Sequence, residues 1–135
     1  MKSKRAYGIS SSVDMPFEPA IDRVKAAFKE QGFGTLTEID VQRTLKEKLG
    51  EEMEPYVILG MCSPQLAHRA IQAEHEIGLL LPCNVIVHQC GGTVHVSAQD
   101  PAQIMEFVGN EALRPIGNEA RARIEAAICS LSNGR

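Results

Sequence analysis

The stretch Asn84-Val85-Ile86-Val87-His88-Gln89-Cys90-Gly91-Gly92-Thr93-Val94-His95-Val96-Ser97-Ala98 decides the fold. Two Val-rich runs alternate in polarity and meet at Gly-Gly, the signature of a β-hairpin with a two-residue turn. Successive side chains of a strand point to opposite faces, so the turn dictates which residues are opposed. Cys90 then faces Thr93, His88 faces His95 and Ile86 faces Ser97. Val85, Val87, Val94, Val96 and Ala98 share the other side, which must be the core face.

Upstream, residues 5 to 12 read as a first strand. Asp14 is the expected cap of a helix whose stripe is Phe17, Ile21, Val24 and Phe28, ending at Gly32. Phe33 to Ile39 reads as a second strand, with Gly34 as the candidate bulge. Asp40 caps a short helix with stripe Val41, Leu45 and Leu49, closed by Gly50. Pro55 to Cys62 is apolar on alternate and intervening positions alike, as in a central strand covered on both faces. Ser63 caps the next helix, Pro64 occupies its first turn, and Leu66, Ala70, Ala73 and Ile77 face inward up to Gly78.

Downstream, Asp100-Pro101 opens a short helix with Ile104, Phe107 and Val108. Pro115 and Gly117 are expected to interrupt the chain, after which Asn118 caps a last helix burying Ala120, Ile124, Ala127, Ile128 and Leu131. The sum is an α+β chain, an antiparallel sheet with helices packed on one face. No repeat or linker divides it, so residues 1–135 read as a single domain with an ordered core over about 5–131.

Composition narrows the function. Of 135 residues, 44% are apolar and 23% charged, the balance of an ordinary globular protein. A net charge of −3 excludes the clustered basic surface that nonspecific nucleic-acid binding demands. The densest basic group, Lys2-Ser3-Lys4-Arg5, sits at the terminus, and six aromatics without Trp leave little for base stacking. No apolar run reaches the roughly 18 residues of a membrane helix, and the basic N-terminus lacks the apolar stretch of a secretory signal. The cytoplasm is the expected compartment. Cys62, Cys83, Cys90 and Cys129 show no C-x-x-C spacing, hence no zinc knuckle or thioredoxin-type motif.

Two constellations carry chemistry. On the outer hairpin face, His88 and His95 have Cβ atoms about 5 Å apart, with the Cys90 thiol two residues along. The three form a candidate metal set, and the competing reading is a solvated or dimer-buried polar face. Cys62 and Cys83 each sit at a strand end beside a proline. Cys62 precedes a helix N-terminus, whose partial charge favours a thiolate, while the competing reading packs both thiols as small hydrophobes. His68 and His75 lie seven apart on one expected helix, about 10 Å along its axis, too far to share a metal.

The stretches Gly32-Phe33-Gly34-Thr35-Leu36-Thr37-Glu38-Ile39-Asp40-Val41 and Thr44-Leu45-Lys46-Glu47-Lys48-Leu49-Gly50 resemble domain-of-unknown-function family 302. So do Pro55-Tyr56-Val57-Ile58-Leu59-Gly60, Cys62-Ser63-Pro64, Gly78-Leu79-Leu80-Leu81-Pro82-Cys83-Asn84-Val85 and Asp100-Pro101, in family order from about residue 5 to 131. The resemblance implies a strand-helix-four-strand-helix core similar to the TATA-binding-protein-like fold, and a homodimer. It implies no established enzymatic activity, cofactor or catalytic residue, so the cofactor stays unknown. Where the family usually carries Cys-Asn-Pro, this chain has Ser63, which caps a helix as Asn does.

The matching motifs fall at strand ends. They suggest a small-molecule cleft lined by Cys62, Ser63, Cys83 and Asn84, with Asp40 and Lys46 at its edge. The expected function is a dimeric small-ligand-binding module without catalysis. The alternatives are a thiol-based redox or sensor protein using Cys62 and Cys83, and an interaction protein using the helix-free sheet face.

Overall fold

In the computed structural model, which describes residues 7–133, the hairpin stands where its alternation puts it. In chain order the elements are β1 (Gly8–Val13), α1 (Phe17–Glu30), β2 (Gly34–Asp40), α2 (Val41–Leu49), β3 (Tyr56–Cys62), α3 (Pro64–Ala73), β4 (Cys83–Cys90), β5 (Thr93–Gln99), α4 (Pro101–Val108) and α5 (Arg114–Asn133). Short 3₁₀ turns at His75–Leu80 and Glu111–Leu113 join α3 to β4 and α4 to α5. The five strands run in the order β1-β5-β4-β3-β2, and every neighbouring pair is antiparallel. The chain is thus α+β, with strand, helix, four strands and final helix as its backbone and α2, α3 and α4 as additions to it.

The β4–β5 ladder pairs His88 with His95, Ile86 with Ser97 and Cys90 with Thr93. Gly91 takes φ +60° as the first residue of the turn, a conformation that costs glycine nothing. Val85, Val87, Val94, Val96 and Ala98 are all buried beneath the helices. They meet Ile9 and Val13 of β1, Val57, Leu59 and Met61 of β3, the α1 stripe Ile21, Val24 and Phe28, and the α5 stripe Ile124, Ile128 and Leu131. Burying one such side chain stabilises by about 1.5–3 kcal/mol, so this layer is the main source of cohesion.

Several local expectations need correction. The first strand was expected from residue 5, but residues 5 and 6, like the Lys2–Arg5 group, lie outside the described residues. Asp14 does not cap α1: Pro16 holds that position, with no side-chain hydrogen bond. The β2 irregularity falls between Thr35 and Thr37, at Leu36 rather than Gly34. The α2 stripe never reaches the core: none of the helix's residues is buried and Leu49 is 68% exposed. β3 is interior but not covered twice, since Tyr56, Ile58 and Cys62 are only half-buried. Phe107 is 82% exposed and Met105 takes its place in the core. His68 and His75 do not share a helix, since α3 stops at Ala73.

The largest correction is at α5, which begins at Arg114 and runs through Pro115, Gly117 and Asn118 without a break. Proline is tolerated in a first turn because its missing N–H has no helical partner there. Gly117 is a packing residue: a Cβ would lie 2.8 Å from Cγ of Met105 and 3.1 Å from the Pro101 carbonyl oxygen. The glycine lets α4 and α5 touch backbone to side chain.

Asp100 joins these elements. It caps α4 by accepting from the Ala102 N–H at 3.0 Å, its own N–H donates to the Tyr7 carbonyl at 2.7 Å, and its carboxylate pairs with Arg121 of α5. Arg121 also reaches Glu125 at 3.2 Å. Asp100 is 2% exposed, so removing its partner strands a buried charge. Arg121→Met is expected to cost about 3–5 kcal/mol in urea denaturation, and Asp100→Asn combined with Arg121→Met less than the sum of the single changes.

Candidate functional site

Three of the residues predicted to form a cleft do come together. Cys62 ends β3, Ser63 caps α3 by accepting from the Leu66 N–H at 3.5 Å, and Cys83 opens β4 as the register partner of Met61. They border an apolar gap of about 40 Å³ whose other walls include Phe33, Leu66 and Met105. That space admits about one water, against the several hundred Å³ typical of a small-molecule pocket.

The remaining cleft residues lie elsewhere. Gly34 of β2 stands opposite Cys62, whereas Asp40 stands opposite Val57; six residues of strand separate them, about 20 Å. Asp40 is the α2 cap, accepting from the Arg43 N–H at 2.9 Å. Lys46 is an exposed side chain paired with Glu52. Asn84 belongs to the helix-free face, with its backbone N–H donating to Oε1 of Gln99 at 3.3 Å. The six residues are therefore not one site.

The thiols do not have the character expected of Cys62 at a helix start. Burial pushes the Cys62 thiol up rather than down. Burial, and then the neighbouring Cys62, push Cys83 up to about 11. Burial therefore disfavours the thiolate at both positions.

The helix-free face is organised differently. Strand pairing aligns its side chains in rows across the sheet. One row runs Ser12, His95, His88, Tyr56. The next runs Ser10, Ser97, Ile86, Ile58, Ile39, with the Ser10 and Ser97 hydroxyls hydrogen-bonded at 2.7 Å. At the far end, Thr37, Gly60 and Asn84 line up, as do Gly8 and Gln99. Gly60 has no room for a side chain, because a Cβ would collide with Thr37 and with Pro82, 2.9 Å from its Cγ. None of these positions is Asp, Glu, Lys or Arg, although 23% of the chain is charged. The face forms an open concavity of about 830 Å³, bordered by Tyr7 and Ile104 and floored by Ile86, His88, His95 and Ser97.

The metal set expected from His88, Cys90 and His95 is not formed. The two imidazoles are opposed as the hairpin dictates, but they stack, with centroids 5.4 Å apart and planes inclined by 28°. Tyr56 extends the stack on the other side of His88, at 5.4 Å and 30°. Stacked rings turn faces, not lone pairs, toward each other, and Cys90 is exposed near the turn. Among the described residues no group of three His, Cys, Asp or Glu is placed to hold a metal. Burial, and then His95, lower the pKa of His88. Tyr56 was the residue missed: only the β3–β4 register reveals it as a partner of His88.

The thiol assignments are directly measurable. In native protein near pH 7.5, iodoacetamide should modify exposed Cys90 at least about tenfold faster than Cys83, as read by peptide mapping. Cys83 has a raised folded-state pKa, so its contribution is complete below the ordinary thiol value and disappears as pH rises toward about 11. Cys83→Ala should flatten the loss of stability over that alkaline window in urea denaturation; an unchanged profile would contradict the assignment.

Comparison with known proteins agrees with this architecture. The domain of unknown function DUF302 matches residues 9–131. The crystal structure of an uncharacterized conserved DUF302 protein from Bacillus stearothermophilus superimposes with a TM-score of 0.88 at 28% identity, covering 94% of this chain and 99% of that one. No curated protein matches the sequence. With the match extending from β1 into the last turns of α5, this chain belongs to the DUF302 family.

Proposed function

We propose that the chain is a non-catalytic binding module, dimeric in its working form, that holds a small molecule on the open face of its sheet. The observation that carries this reading is the concavity itself. It combines an apolar floor with a few polar groups, the make-up of small-molecule sites. The gap beside Cys62 and Cys83, at about 40 Å³, is too small for such a role.

Binding without turnover fits the chemistry of the face. An imidazole acts as a general base when a carboxylate or carbonyl orients its other nitrogen. Here His88 stacks between Tyr56 and His95, and the rows carry no carboxylate. A thiol mechanism would require a populated thiolate, which burial opposes at both Cys62 and Cys83.

The dimer contact has its own support. β2 is an edge strand with Leu36 65% and Ile39 48% exposed, and Leu49 on the helix that follows is 68% exposed. Exposed apolar side chains on an open edge invite pairing with a second copy. Neither Leu36 nor Ile39 lines the concavity, so using this edge leaves it free for the ligand.

Native mass spectrometry of reduced protein tests the binding reading. A non-covalent adduct is expected on the wild type and not on Ile86→Glu, which places a charge in the concavity. An adduct retained in full by the variant, or a bare wild type that no member of a small-molecule library stabilises against heat, overturns it. For the dimer, Leu36→Glu with Leu49→Glu should raise the dissociation constant about 100-fold in sedimentation velocity under reducing conditions, from the lost burial of leucine on both copies.

A further inference from the structure

The geometry points to an uncharged occupant of the open face that is released on acidification, an inference that rests on the binding reading above. A molecule entering the concavity gives up part of its water. An ion does so only against a counter-charge or a dense set of hydrogen bonds. The rows contain neither a carboxylate nor a Lys or Arg. What they present is an apolar centre of Ile58 and Ile86, a hydroxyl pair at Ser10 and Ser97, and amides at Asn84 and Gln99. Hydroxyls and amides both donate and accept, and so match a neutral polar molecule with an apolar body.

The response to acid follows from the stack. His88 faces Tyr56 from β3 and His95 from β5, each with centroids 5.4 Å away. Cys90 lies two residues along its own strand, and β1 contributes Ser12 beside His95. α4 borders the concavity through Ile104, which is uncharged. A carboxylate near this end, that of Glu54, accepts from the Gly91 N–H at 3.1 Å, at the hairpin turn rather than on the rows.

A proton on one ring therefore places a cation against its neighbour with no anion in the rows to offset it, and a second proton adds like-charge repulsion. Burial and His95 already hold His88 below the ordinary histidine value. The folded-state pKa is depressed, so the neutral stack is complete above the ordinary value and is lost as pH falls through the lowered one. The face then becomes cationic and hydrated. A neutral occupant is weakened, whereas an anion would be held more tightly, and the two classes respond to acid with opposite sign.

Two fluorescent probes separate them: Nile red, which is uncharged, and anilinonaphthalene sulfonate, which is an anion. Each is titrated at about pH 8 and about pH 5.5, with circular dichroism confirming that the fold persists at both. Nile red should bind saturably at the higher pH and more weakly, by up to about tenfold, at the lower one. That difference should vanish in His88→Gln with His95→Gln. The sulfonate should bind weakly at the higher pH. Equal or tighter sulfonate binding there, or Nile red binding indifferent to pH, overturns the inference. If neither probe responds to Ile86→Glu, the open-face site itself fails; Ser97→Lys inserts a charge at the adjacent row position should Ile86→Glu not fold.

Discussion

Everything in this molecule is registered on one hairpin. The β4–β5 ladder sets the alternation of two strands, β1 takes its register from β5, β3 from β4, and β2 from β3 in turn. A slip of one residue at Gly91-Gly92 would exchange the valine face for the histidine face along two strands. The cost of exposing Val85, Val87, Val94 and Val96 together forbids it. The helices accept this constraint rather than create it, since α1 and α5 lay their stripes on a surface the hairpin has already defined.

This dependence explains what could be read without coordinates. The hairpin pairing, the core face, the α1 and α5 stripes and the caps at Asp40, Ser63 and Asp100 all follow from short-range pattern. The failures are those in which a distant element intervenes. Gly117 looks like a break, but it serves the close approach of Met105 and Pro101. Phe107 has the spacing of a core residue, yet the orientation of α4 gives the core to Met105. Leu49 completes a proper amphipathic stripe whose helix has no apolar surface waiting beneath it.

The site shows the same division. Convergence of Cys62, Ser63 and Cys83 was legible from their places at strand ends, but the scale of the gap between them was not, because volume depends on how Phe33, Leu66 and Met105 fill it. Asp40 shares a strand with Gly34, opposite Cys62, and so lies at the other rim, a fact settled by strand length. Opposition of His88 and His95 was fixed by the turn; that the rings stack depends on χ angles and on Tyr56, which arrives through a pairing of distant segments. The absence of charge from the open rows is a property of composition by face, visible only once all five strands are aligned.

One feature of the hairpin bears on how any assembly of this protein is handled. Cys90 is exposed at the end of β4, beside the Gly91-Gly92 turn, while Cys83 is buried. Two molecules meeting at their hairpin tips in aerated buffer can join through Cys90 alone, since a thiol at a surface turn is sterically open to another. Such a covalent pair would match in mass a dimer held at the β2 edge, but it would be joined through β4, the middle strand of the sheet. A dimer mass measured without reductant would therefore not by itself locate the contact.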